Sequence, residues 1–166
     1  MSTDAQKDSG KKRSAKQQQR LLEEITELFE HKITFNEFLG FRIDRLSPSP
    51  VQIRFDMKPD LIGHYLYGRL HGGVISSVLD VAGGLAIMMG IADKNNGDTV
   101  FEVMNRFRNL ATIDMRVDYL RQGIGEHFIA EAELVRLGSR VAVSSMRLVN
   151  DQNTLIATGT ASYIVS

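Results

Sequence analysis

The chain has 166 residues, 43% of them hydrophobic and 24% charged, which is ordinary for one globular domain able to bury a core. Lys plus Arg equals Asp plus Glu at 20 each, so no global field exists to recruit nucleic acid or an anionic membrane. Cysteine is absent, which excludes disulfides, thiolate metal sites and a cysteine nucleophile.

Residues 1–16 are polar and lysine-rich without periodic apolar positions, and are expected to form a disordered tail ahead of a single domain, 17–166. The first twenty residues carry six basic side chains and no apolar stretch. This does not fit a signal peptide, and a cytoplasmic location is expected. From Gln17 the pattern changes: Leu21, Leu22, Ile25, Leu28 and Phe29 form the stripe of an amphipathic helix ending near His31 or Lys32. Residues 41–46 and 51–57 then read as strands around the breaker Ser47-Pro48-Ser49-Pro50. In the second, Val51, Ile53, Phe55 and Met57 face one way while Gln52, Arg54 and Asp56 face the other.

Residues 74–91 are uncharged except for Asp80. The length alone would suit a membrane span. Asp80, Ser76, Ser77 and the pair Gly83-Gly84 argue against one, since a mid-bilayer Asp costs about 2.5–3.5 kcal/mol. The segment is expected to be a buried helix that starts at His71-Gly72-Gly73. Residues 98–110 suggest a short helix through Val100, Met104 and Phe107 that covers the core or serves as a substrate lid. Four strands follow at 111–120, 128–136, 140–149 and 154–165, with connections short enough for antiparallel hairpins. An apolar helix wrapped by a five- or six-stranded antiparallel sheet, with an extra N-terminal helix, is an α+β architecture and the layout of the hotdog fold.

At 3.6 residues per turn, Gly73, Ser76, Ser77, Asp80, Gly83, Gly84 and Ile87 share one narrow stripe of small residues. Interior helix glycines cost about 1 kcal/mol each relative to alanine, so Gly83-Gly84 signals a close approach by substrate, by a second helix, or by a packed helix of the same chain. Asp80 is either a working carboxylate or one bonded locally to Ser76, Ser77 or an arginine. The helix start offers unpaired N–H groups and the positive end of the dipole, a means of stabilising an oxyanion, with Gly72 the first candidate donor and Gly73 the second. Gly72 and Asp80 are separated by about 12 Å along one helix. A carbonyl held by one is out of reach of the other, so two chains with antiparallel helices are expected to form two composite sites. The four histidines have no metal-ligand spacing, and neither a metal nor an organic cofactor is expected.

Leu70-His71-Gly72-Gly73-Val74 with Asp80 nine residues after the His, followed by Thr112-Ile113-Asp114-Met115-Arg116-Val117-Asp118-Tyr119-Leu120-Arg121, resembles the phenylacetyl-CoA-type branch of the hotdog thioesterases. Within it, the chain is most similar to the small bacterial enzymes acting on medium- and long-chain acyl-CoA. The resemblance covers residues 34–166. It implies that Gly72 N–H polarises the thioester carbonyl, that His71 positions the turn, that Asp80 is general base or nucleophile, and that Thr112 orients the water. Strand alternation puts Thr112 with Asp114 and Arg116, opposite Ala111, Ile113, Met115 and Val117, so Thr112 reaches the site only if the strand end twists or a second chain meets it. Many members have Asn six residues before the His, where this chain has Tyr65; His64, Tyr65 or Tyr67 then either substitute for it or are plain loop residues. The same resemblance offers Gly138-Ser139-Arg140 and Arg121, with Arg69 behind them, for the CoA phosphates. It implies a homo-oligomer, a dimer or a dimer of dimers, that hydrolyses acyl-CoA. The alternatives are a hotdog hydratase or dehydratase, whose Pro-rich stretch around the catalytic His is missing here, and a non-catalytic acyl-CoA-binding module with no need of Asp80.

Overall fold

The computed structural model describes residues 12–166. Most of the expected tail, residues 1–11, lies outside them. The first helix, α1 (Ala15–Glu27), starts two residues ahead of Gln17 because Ser14 and Gln17 form a reciprocal capping box. It continues through a π-helical turn (Leu28–Lys32) to the expected end. Leu21, Ile25 and Phe29 are its buried stripe. A second short helix, α2 (Thr34–Leu39), was not foreseen. Asn36 anchors it by donating to Phe29 O at 3.0 Å, and Gly40, at φ +77°, ends it.

Six strands form one fully antiparallel sheet: β1 (Arg42–Arg45), β2 (Val51–Asp56), β5 (Ala111–Tyr119), β6 (His127–Leu137), β7 (Val141–Asn150) and β8 (Leu155–Ile164), in the order β1-β2-β6-β7-β8-β5. A small separate ladder, β3 (Ile62–His64) with β4 (Arg69–Leu70), leads into the central helix α3 (Gly72–Lys94), and α4 (Val100–Arg106) follows it. The sheet wraps α3 against β2, β5, β6, β7 and β8. Fourteen of the 23 residues of α3 are buried, so its apolar length is that of a core helix. Val51, Ile53 and Phe55 on β2, and Phe128, Ala130 and Ala132 on β6, supply the facing layer. Phe55 and Phe128 stack with centroids 5.3 Å apart. α4 covers the core through Val100 and Val103 and touches α1.

Several strands depart from simple alternation, and two of these irregularities lie in the long strands β5 and β6. In β5 the register with β8 slips between Thr112 and Asp114, and in β6 the register with β7 slips between Leu134 and Arg136. Each bulge adds one residue and reverses the faces of whatever precedes it. Ile113, expected to point inward, is 56% exposed as a result.

Candidate active site

The start of α3 is built by short contacts between neighbouring segments. His71 N–H donates to Leu61 O at 2.8 Å, and Leu70 N–H donates to Gly123 O at 2.9 Å. Gly63 lies so close to the His71 backbone that any Cβ there would collide with it. His71 is the N-cap: its Nδ1 accepts the Gly73 N–H at 2.9 Å, so Nδ1 carries no proton in this arrangement. The N–H groups of Val74 and Ile75 both turn back to His71 O, at 3.0 and 3.2 Å. Among the described residues, Gly72 N–H has no such partner. The expected second donor, Gly73, is thus occupied by the side chain of the cap, and Gly72 remains. The Tyr119 hydroxyl donates to Gly72 O at 3.1 Å, and its ring lies in ordinary contact with the position a Gly72 Cβ would take.

Two turns along the same helix, Asp80 is half-buried. Its Oδ1 accepts from Thr112 Oγ1 at 2.9 Å and from the Tyr163 hydroxyl at 3.2 Å, and the same hydroxyl lies 3.0 Å from Asp80 O. Oδ2 has no partner among the described residues. The local alternative for Asp80 does not occur among the described residues: Ser76 and Ser77 both donate to Gly73 O, at 3.0 and 2.7 Å, and no arginine there is paired with the carboxylate. Thr112 reaches Asp80 within one chain, against simple alternation, because the bulge at Ile113 turns it to the face that Met115 and Val117 occupy.

Tyr163 was missed from the sequence. It lies on β8, inward with Gly159 and Ala161, and is almost fully buried. Burial first, and then the charge of Asp80, push its phenol well above the usual tyrosine range, so it remains a donor to the carboxylate throughout the neutral range. It also explains Gly83: a Cβ there would collide with the Tyr163 hydroxyl and with Ser144 Oγ. The close approach foreseen at Gly83-Gly84 is therefore made by a sheet side chain of the same chain, rather than by substrate or another helix. The usable signal was a glycine three residues after the carboxylate, matched by the largest buried side chain of the last strand.

The other candidates divide into two groups. Arg121 follows β5 at the Gly72 end, with Nη1 donating to Leu155 O at 3.1 Å; Arg69 lies on the same side with its guanidinium 5.8 Å from the Tyr67 ring centroid. Together with Tyr119 and Gly72 they border an open pocket of about 410 Å³. Gly138, Ser139 and Arg140 form the β6–β7 turn, where Gly138 N–H donates to Val141 O at 3.0 Å. Gly138 and Ser139 line a different pocket, with Lys94 and Asn95 at the far end of α3, about 33 Å along the helix from Gly72. One chain does not bring that turn to Gly72. Tyr65 is 87% exposed in the β3–β4 turn, its ring stacked on His64, and makes no hydrogen bond to Asp80 or Gly72. Among the described residues, no three His, Asp or Glu side chains converge as metal ligands would.

The wrapped antiparallel sheet around the central helix that carries this N–H and this carboxylate is shared with known proteins. The profile of the thioesterase superfamily matches residues 67–157. The medium/long-chain acyl-CoA thioesterase YigI of Escherichia coli K12 is 38% identical over 141 residues, spanning 85% of this chain and 91% of that one. A Shewanella oneidensis crystal structure described as related to the thioesterase superfamily has 42% identity and a TM-score of 0.85, covering 90% of this chain and 97% of the other. A thioesterase family protein from Silicibacter pomeroyi superposes with a TM-score of 0.67 at 25% identity, over 89% of this chain and 96% of its own. The chain has the hotdog fold, belongs to the thioesterase superfamily and is a thioester hydrolase.

Proposed function

We propose that the protein hydrolyses medium- to long-chain acyl-CoA to the free acid and CoA, at composite sites formed by Gly72 of one copy and Asp80 of a second. The substrate class is that of the E. coli relative. The observation that carries the site is the pair of hydroxyls, Thr112 and Tyr163, holding one oxygen of Asp80 while the other stays unbonded. Two donors on Oδ1 fix the carboxylate plane, and Oδ2 is left to act.

Acting as general base, Asp80 Oδ2 takes a proton from water while the resulting hydroxide adds to the thioester carbon. The carbonyl oxygen becomes an oxyanion facing Gly72 N–H and the positive end of α3. Collapse breaks the carbon–sulfur bond, the acid leaves, and the CoA thiolate takes up the proton. Acting as nucleophile, the same oxygen adds to the carbonyl, collapse breaks the carbon–sulfur bond and expels the CoA thiolate to leave an acyl-Asp80 anhydride, and water then cleaves that anhydride to the free acid and the regenerated carboxylate, its proton passing to the thiolate. Arg69 and Arg121 border the Gly72 pocket and supply cations for the CoA phosphates; Arg140 is a further cation, at the opposite end of the sheet.

The composite geometry is supported by the edge of the sheet. Among the described residues β5 pairs with β8 on one side only, so its other edge offers unpaired backbone groups. Antiparallel pairing of two β5 edges about the central Met115 sets Thr112 of one copy opposite Asp118 of the other. Asp80, bonded to Thr112, then comes alongside the second copy's Tyr119, bonded to Gly72 O. The 12 Å gap within one helix, by the rise of about 1.5 Å per residue, is closed in this way.

Thiol release from acyl-CoA by purified protein tests the reading directly. Asp80→Asn is expected to lower kcat by about a thousandfold or more while acyl-CoA still binds. Mixing Asp80→Asn chains with Gly72→Pro chains is expected to regenerate part of the activity, because a mixed dimer contains one site with both wild-type elements. Retained cleavage by Asp80→Asn would refute the role of the carboxylate, and full activity in a dilute monomer would refute the shared site.

A further inference from the structure

We propose that the pocket between α2 and the start of α3 receives the acyl chain, and that Phe35 and Phe38 are specificity-determining residues which set its preferred length. This rests on the acyl-CoA reading above and assigns a direction to the substrate within that site.

Two pockets flank the first turn of α3. Gly72 and Ile75 border the one that holds Arg69, Arg121 and Tyr119. Gly73, Val74 and Ser77 border the other, of about 370 Å³, whose remaining wall is mostly apolar, with Phe35, Phe38, Leu39, Leu61 and Ile62 beside Asp60 and His71. At about 100° per residue the two sets lie roughly 180° apart around the helix, with Gly72 N–H at the end between them. The pockets differ in charge. The first has two arginines and no acid in its lining, while the only charged residue lining the second is Asp60. Lys58 lies behind the second pocket, with Nζ 4.6 Å above the Phe38 ring and donating to Phe38 O. Phosphates therefore favour the first pocket, and Asp60 repels them from the second.

The second pocket is also costly to leave bare. Phe35 and Phe38 are each 52% exposed and Ile62 is 40% exposed, all beside the proposed catalytic turn. Two aromatic rings held on a helix that Asn36 and Leu39 anchor from beneath make a preformed apolar wall. Its volume falls in the range of small-molecule sites. A thioester carbonyl bonded to Gly72 N–H can send its CoA arm past Tyr119 toward the arginines and its alkyl chain past Val74 toward the rings. Each methylene covered by these rings should raise kcat/KM about fourfold, until the wall is filled.

The experiment is a kcat/KM profile over saturated acyl-CoAs from two to eighteen carbons, for the wild type and for Phe35→Ser/Phe38→Ser. The double variant is expected to lose tenfold or more on the longest chains while acetyl-CoA and butyryl-CoA stay within about twofold, flattening the profile. A uniform loss at every chain length, or an unchanged profile, would overturn the assignment; a uniform loss together with a changed sedimentation coefficient would show that the rings are covered by a second copy instead. Should the double variant fail to fold, the wild type decides. A thioether analogue of palmitoyl-CoA with a terminal diazirine is expected to photolabel residues 34–39 or Ile62, and labelling confined to other segments would overturn the assignment. The parent reading fails separately: a wild type that releases no thiol from any acyl-CoA refutes the acyl-CoA hydrolase itself, whereas cleavage abolished by Asp80→Asn with an unaltered chain-length profile refutes only the role of the rings.

Discussion

The two ends of α3 carry equal and opposite halves of one helix dipole, and the protein treats them differently. At the C-terminal end, Arg13 Nη1 donates to Asn95 O at 2.7 Å and to Asp98 O at 3.0 Å, its Nη2 donates to Ala92 O, and Asn95 Nδ2 turns back to Ile91 O at 2.8 Å. Burial lowers the Arg13 guanidinium from its usual range and Asp98 and Asp93 oppose that shift, so it remains a cation on the negative end of the dipole. At the N-terminal end, one imidazole takes the Gly73 N–H, and Gly72 N–H has no acceptor among the described residues. A closed terminus contributes stability. An open one leaves a donor free, which under the proposed mechanism faces the thioester carbonyl.

The sharpest way to break this contrast is to remove the open donor without disturbing the helix. Gly72 is the first helical position, where proline is tolerated because its missing N–H is unpaired there in any case. His71 precedes it at φ −65° and ψ 139°, an extended conformation that a following proline permits. A Cβ at residue 72 meets Tyr119 no closer than 3.6 Å. Gly72→Pro is therefore expected to keep the melting temperature within a few degrees and lower kcat by about a hundredfold to a thousandfold. A kcat near that of the wild type would show that the free N–H is incidental.

A smaller effect is expected two turns along, where the carboxylate depends on its hydroxyls. Tyr163→Phe removes one of two donors to Asp80 Oδ1, and hydrogen bonds to charged groups are worth about 1.5–3 kcal/mol. A kcat loss of about tenfold or more is expected. The same residue couples stability to alkaline pH. An unfolded tyrosine ionises near pH 10, while the buried one beside Asp80 keeps its proton to higher pH. Above pH 10 the unfolded chain thus binds fewer protons than the folded one, and unfolding becomes more favourable as pH rises. The stabilisation is complete below about pH 10 and falls away above it. Thermal melts from pH 8 to 12 should show a steeper decline for the wild type than for Tyr163→Phe, and parallel curves would remove Tyr163 as the cause.

The residues that explain this contrast were unevenly legible in the sequence. The six strands of the main sheet were, to within a few residues, because positions such as Val51, Ile53 and Phe55 alternate with Gln52, Arg54 and Asp56; the short β3–β4 ladder was not, being too brief to show a period. His71, Gly72 and Asp80 were legible because glycines and a carboxylate are conspicuous in an apolar helix. Thr112 was read on the wrong face for its reach to Asp80, since one bulged residue reverses alternation and Ile113 carries no mark of it. Tyr163 was missed because its one signal is split between β8 and Gly83, 80 residues earlier in the chain. α2 was missed because six residues hold too little of a 3.6-residue period to register, and Phe35 and Phe38 lie on its exposed side. Arg13 fell within the expected tail, and only the fold brings it to the end of α3.

Arg13 gives the last and smallest expected effect, and it tests the closed end. Arg13→Gln removes the cation and leaves too few donors for Ala92 O, Asn95 O and Asp98 O, while the backbone bond from Arg13 N–H to Asn96 O at 2.7 Å survives. A cation at a partly buried helix C-terminus is worth up to about 2 kcal/mol, so the melting temperature should fall by a few degrees for a domain of this size. Glutamine keeps the ability to donate to one of the carbonyls, so part of the cap should persist. Because the closed end lies about 20 Å along the helix from Asp80, kcat/KM is expected to stay within about twofold of the wild type. A fall in activity without a fall in stability would mean that the two ends are coupled through α3, and that the division between a stabilising terminus and a reactive one is wrong.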